Sequence, residues 1–224
     1  MLSAKNGVSA AEIAFIAGLT DKEVNRLVDE NVLPAVLFFR GEGRRFAPLT
    51  APIALFYFRA SEDLTRAARV KVIQTLIERL SVRPDFDDFL ALSEWVLRAG
   101  FDWSVASETF TVFLARFVEE ASRRASQVSD ASLHIVEDPD VLSGAPCFAG
   151  TRVPVANVLA ARESGIPLEE LRAAYPFLTE QLLVDAEIYM KAHPRPGRPR
   201  RLDETNAQLR LISKKVVRRA KSGE

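Results

Sequence analysis

Few residues in this chain of 224 have the types and spacing for chemistry. It has two histidines, His134 and His193, and a single cysteine, Cys147. Histidine and cysteine alone therefore cannot fill a tetrahedral zinc site, and no internal disulfide can form. Glu137, Asp138 and Asp140 are close enough in sequence to offer oxygen ligands to Mg²⁺. Asp138-Pro139 reads first as turn chemistry, however. Gly150-Thr151-Arg152 could present backbone amides to a phosphate, but no Gly-Lys-Ser/Thr follows, so it is not a P-loop. Cys147 as a nucleophile would need a base, and spacing does not bring His134 to it. No pair has the spacing of a nucleophile with its base or of a metal-ligand set. The chain reads as a non-enzyme with no metal and no cofactor.

Arginine is the more telling type. Net charge is zero, yet residues 191–224 carry 11 Lys/Arg against 3 Asp/Glu. The remaining 190 residues are correspondingly acidic, with 19 basic and 27 acidic side chains. A basic tail on an acidic body points to an anionic partner for the tail. No apolar run approaches the ~20 residues of a membrane span. The opening stretch has one lysine and no long apolar core, so no secretory leader is expected. The expected location is the cytoplasm.

Four regions must position these residues. Residues 1–60 begin with Ser9 and Glu12 at capping-box spacing, then apolar Ile13, Phe15, Ile16 and Ala17. Gly18-Leu19-Thr20 stops one helix and starts another. Val24, Leu27 and Val28 point that second helix inward, leaving Lys22, Asn25 and Arg26 outside. This is helix-turn-helix grammar. A short hairpin with Arg40, Arg44 and Arg45 near its tip follows, in the place of a wing that touches phosphates. Pro48 to Phe58 is expected to pack beneath. The run Ser9-Ala10-Ala11-Glu12-Ile13-Ala14, Ala17-Gly18-Leu19-Thr20, Val24-Asn25-Arg26-Leu27-Val28 and Arg44-Arg45-Phe46 resembles the DNA-binding domain of MerR-type and excisionase-like regulators. That resemblance implies DNA contacts from Thr20, Lys22, Asn25 and Arg26 on the reading helix, and from Arg40, Arg44 and Arg45 on the wing.

Residues 61–128 read as an all-helical connector and dimerisation layer. Leu64, Ala68, Val72, Leu76 and Leu80 recur at helical spacing, Pro84 interrupts, and Trp103 to Val118 is expected to be a further helix. Residues 129–193 read as short extended pieces separated by turns, then three short helices, with Thr179 capping the last.

This third region carries the more specific likeness. Asp138-Pro139, Ser143-Gly144, Pro146 and Gly150-Thr151-Arg152-Val153-Pro154-Val155 form one half of it. Gly165, Leu168-Glu169-Glu170-Leu171, Tyr175-Pro176, Leu178-Thr179, Val184 and Ala186 form the other. Together they resemble the bacterial "domain of unknown function 433" family. The family is small, helical and helix-turn-helix-like, and its members typically accompany a PIN-like ribonuclease toxin as VapB-type antitoxins.

The fourth region, 194–224, is the tail. Arg195, Arg198, Arg200 and Arg201 sit among prolines in an extended segment. Their Gly-Arg-Pro core looks like part of an AT-hook, which would enter a narrow minor groove. Alternatively the arginine forks enter the acidic pocket of a metal-dependent nuclease, the reading favoured by the family resemblance. Leu209, Ile212 and Val216 would line one side of a terminal basic helix suited to a partner groove.

The sequence therefore reads as a mainly α protein: an N-terminal winged helix-turn-helix, central helices, a small C-terminal helical domain with short strands, and a basic tail. The expected function is that of a type II antitoxin, a homodimer that binds operator DNA and neutralises a PIN-like ribonuclease toxin. The alternative is a stand-alone transcription regulator.

Overall fold

Ser9 and Thr20 start the first two helices, as their positions require. The computed structural model describes residues 7–40 and 43–194. Ser9 caps α1 (Ala10–Ala17), its Oγ accepting the Glu12 N–H at 3.1 Å. Thr20 caps α2 (Asp21–Asp29) with a reciprocal box: Glu23 N–H donates to Thr20 Oγ1, and Thr20 N–H donates to Glu23 Oε2 at 2.8 Å. Such a cap contributes about 1 kcal/mol. Between the helices Gly18 adopts φ +66°, a left-handed turn that side chains resist. Val24, Leu27 and Val28 are buried against α1, as their spacing predicts.

A short 3₁₀ turn leads into the hairpin β1 (Phe38–Arg40) and β2 (Arg44–Phe46). Val8 closes the outer side of β2, exchanging two 2.9 Å hydrogen bonds with Phe46. Helix α3 (Thr50–Arg59) is buried from Thr50 through Tyr57. The buried Thr50 hydroxyl is satisfied by donating to the Leu37 carbonyl at 3.1 Å.

Helix α4 (Arg66–Ser81) turns Val72, Ile73, Leu76, Ile77 and Leu80 inward. After the short α5 (Phe86–Leu90), Phe89 collects Trp95, Phe101 and Trp103 in edge-on and tilted ring contacts. The segment from Trp103 to Val118 departs from the sequence reading. It is not one helix but a hairpin, β3 (Ser104–Ala106) and β4 (Thr111–Phe113), followed by α6 (Ala115–His134). Its apolar positions satisfy a broad helical stripe and a strand alternation alike. The β-branched and aromatic content of Val105, Thr109, Phe110, Thr111, Val112 and Phe113 favours the strand.

Helix α6 spans two cores. Phe117, Val118, Ala121 and Val128 join the core of the first 128 residues; Ala131 joins the second. The border expected at residues 128 and 129 therefore lies inside a continuous helix. Beyond it come the paired strands β5 (Ile135–Val136) and β6 (Cys147–Phe148), then α7 (Val155–Glu163), α8 (Leu168–Ala174) and α9 (Glu180–Ala192). Thr179 caps α9, its Oγ1 accepting Leu182 N–H at 3.1 Å. Helix α9 packs along α6 and α1, and Ala192 at its end lies in the first core. The fold is mainly α, with strands only in small antiparallel pairs among the described residues.

Candidate nucleic-acid interface

Helix α2 and the β1–β2 hairpin bring most of the sequence-selected cations to one part of the molecule. The register sets Arg40 opposite Arg44 and Phe39 opposite Arg45. Opposed residues share a face of a hairpin. Arg40 and Arg44 therefore lie on one face with Phe38 and Phe46, and Arg45 lies on the other.

Arg44 folds back on α2. Its Nη1 donates to the Asn25 carbonyl and to Asn25 Oδ1, both at 3.2 Å, and its Nη2 donates to Asp29 Oδ1 at 2.5 Å. The Arg44 hydrogen bond holds the Asp29 carboxyl below the usual carboxylate range. Arg44 thus fastens the hairpin to the helix. Asn25 is held from both sides, since its Nδ2 also donates to the Asp21 carbonyl at 2.9 Å. Arg26 pairs with Glu30 at 3.0 Å and its guanidinium lies 5.4 Å from the centre of the Phe58 ring. The Thr20 hydroxyl is engaged in its cap, donating to Glu23 Oε2 at 2.8 Å. That cap, with the Thr20 N–H foremost, lowers the pKa of Glu23.

Lys22, Arg40 and Arg45 remain exposed and form no ion pair among the described residues. The exposed side of α2 is mixed in charge, because Asp21 and Asp29 flank Lys22 and Arg26. Positive surface here comes mainly from the hairpin. Sequence reasoning missed Asp29 as the anchor of Arg44. Its place four residues after Asn25 was a signal for a shared helix face; the partner across the chain was not readable. Arg195, Arg198, Arg200, Arg201, Leu209, Ile212 and Val216 lie outside the described residues.

The third region holds a separate polar network. Asp185 is buried on α9, accepting from Gln181 Nε2 at 2.9 Å and meeting His134 Nδ1 at 2.7 Å. One turn further along α9, the Tyr189 hydroxyl donates to Glu137 Oε1 at 3.2 Å. Burial, reinforced by Glu137, pushes the Tyr189 phenol up to about 12. The Tyr189 ring stacks on His193, whose Nε2 lies 3.4 Å from Glu12 Oε2 on α1. Hydrogen bonding to Glu12 raises the His193 pKa.

The other residues singled out from the sequence serve turns. Asp138 accepts the Asp140 N–H at 2.9 Å, closing an Asx turn. Thr151 donates its N–H and its hydroxyl to the Phe148 carbonyl, and its Oγ1 accepts the Val153 N–H. Those groups are spent within the loop rather than offered to a phosphate. Cys147 is buried. No cluster of three or more metal-ligating side chains occurs among the described residues, and none of the described helices is long and apolar enough to cross a membrane.

The strand pair, loop and three helices of this region define its class. Residues 135–190 match the family "Protein of unknown function (DUF433)" and form a DUF433 domain. Over 217 residues, 96% of this chain and 95% of the other, the protein is 30% identical to "Uncharacterized protein y4eO" of Sinorhizobium fredii. The chain belongs to that protein's family. Among solved structures, it is similar to Rv2018 from Mycobacterium tuberculosis at 19% identity, covering 80% of this chain and 95% of that one with a TM-score of 0.34. A likeness at that score supports no inference about function.

Proposed function

We propose that this protein is the antitoxin of a type II toxin–antitoxin pair. It acts as a homodimer in the cytoplasm, binds operator DNA through α2 and the β1–β2 hairpin, and neutralises a PIN-like ribonuclease with its basic C-terminal segment. The observation that carries the DNA half is the cluster of exposed cations Lys22, Arg40 and Arg45 beside a capped two-helix unit. Arg44 and Asn25 hold the hairpin against α2, so these cations are presented from a fixed frame. The toxin half rests on the DUF433 domain and on the concentration of arginine and lysine after residue 190.

Because the body is acidic, contact with DNA must be local and steeply salt-dependent, each neutralised phosphate releasing counterions. The test is co-expression with the adjacent small open reading frame, tagging only that partner. The truncated chain should end after Pro194, which leaves α9 and the His193–Glu12 pair whole. Full-length protein should co-purify and quench a ribonuclease, and the truncation should do neither. Absence of any partner removes the antitoxin reading. Operator affinity that stays flat between low and moderate salt removes the DNA reading.

A further inference from the structure

The β3–β4 hairpin has two outer edges, and one of them is partly covered while the other is open. Leu114 N–H bonds to the Trp103 carbonyl and Ser107 N–H to the Phe110 carbonyl, both at 2.8 Å. Bonded positions alternate in an antiparallel pair, so Val105 and Val112 bond to each other across the ladder. Ser104 and Ala106 on β3, and Thr111 and Phe113 on β4, therefore turn their N–H and C=O groups outward. On β3 this edge is occupied at Ser104, while Ala106 is exposed. The Ser104 carbonyl accepts from Arg79 Nη1, and the Ser104 N–H donates to Asp102 Oδ1 at 2.9 Å. On β4 the outward groups of Thr111 and Phe113 meet no partner among the described residues. Phe113 is 70% exposed, and the open edge borders a cleft of about 650 Å³ with Phe56, Ala60 and Leu64 on its other wall.

An unpaired strand edge beside an apolar cleft is a surface for strand addition. We infer that this edge joins two copies of the chain, β4 to β4, about a twofold axis at Val112. The inference rests on the homodimer reading above. The phase of the ladder suits it. With Thr111 opposite Phe113 of the second copy, outward groups meet outward groups, and each such pair exchanges both of its hydrogen bonds. Val112 then faces its own counterpart at a non-bonded position, where Cβ atoms approach to about 4.5–5.5 Å. The rim of the cleft supports self-pairing by its charge. Asp63 stands on the α3 side, and Arg116 and Glu119 stand on α6. A surface that must match itself across a twofold axis needs both signs. A uniformly basic or acidic partner would need only one.

The experiment is sedimentation velocity on the full chain, with three variants. Thr111→Pro removes an outward N–H and spares the ladder, a change tolerated on a strand edge. Phe113→Lys places a charge at the joint. Val112→Cys places two thiols across the axis. The wild type should be dimeric. The first two variants should weaken the dimer by about tenfold or more with unchanged circular dichroism, and Val112→Cys should cross-link on mild oxidation. A wild-type dimer that survives both substitutions and gives no cross-link overturns the β4 joint while leaving the dimer intact. A monomeric wild type overturns both. Hydrogen-exchange protection of Thr111 and Phe113 that appears only when the nuclease partner is added assigns the edge to that partner, and self-pairing falls.

Discussion

The two larger hairpins have the same size and opposite surfaces. In β1–β2, each strand is three residues long, Phe46 is fully buried, and Val8 seals the outer edge of β2. What this hairpin leaves exposed is charge, Arg40 and Arg45. In β3–β4, also three residues per strand, the aromatic at the equivalent strand end is Phe113, which is exposed, and the outer edge of β4 is open. A closed, charged hairpin suits a charged ligand such as a phosphate backbone. An open, apolar one suits another strand. The same supersecondary unit thus presents two kinds of surface, decided by what covers its last edge.

The sharpest way to break this contrast is to remove the two matching aromatics. Phe46→Ala should cost about 3–5 kcal/mol in chemical denaturation, as truncation of a buried phenylalanine does. Phe113→Ala should change the stability of the monomer by less than about 0.5 kcal/mol. Equal costs would mean that Phe113 is covered within one chain. A proline placed on each outer edge comes next in size. Val8→Pro deletes the hydrogen bond to Phe46 and should cost about 1 kcal/mol, whereas Thr111→Pro should leave the unfolding midpoint of the monomer in place.

Two arginines adjacent in sequence sharpen the contrast within the first hairpin. Arg45→Ala should lower the slope of log affinity against log salt for operator DNA by about 0.9, the value of one phosphate contact, with stability unchanged. Arg44→Ala should speed amide exchange across β2, because it frees the hairpin from Asn25 and Asp29. The smallest effect concerns the link from α9 to α1, just after Val8. The folded-state pKa of His193 is raised, by Glu12 first and also by Glu137. Its stabilisation is complete below the unfolded value of about 6.5 and is lost as pH rises through the folded value. The difference in melting temperature between wild type and His193→Ala should therefore be larger at pH 6 than at pH 9. Glu12→Gln should flatten that dependence.

Much of the fold was legible because its signals are local. Ser9, Thr20 and Thr179 cap helices, Gly18 turns the chain, and Val24, Leu27 and Val28 face inward, all from short-range spacing. The DUF433 segment was legible because many of its turn and helix positions fall in register together. The hairpin at 104–113 was misread because its apolar residues fit a helical period as well as a strand period.

The sequence by itself determined the capped helices α1, α2 and α9, the two-helix unit with its hairpin, the DUF433 segment and the division of charge between body and tail. Only the tertiary structure decided that Arg44 is spent on Asn25 and Asp29 while Arg40 and Arg45 stay exposed. It also decided that His134 meets Asp185, 51 residues away, and that one edge of β3–β4 is partly covered, at Ser104, while the other is open. The physical reason is range. Caps, turns and periodicity act within about one helical turn, whereas ion pairs between elements and sheet edges depend on segments brought together only by packing.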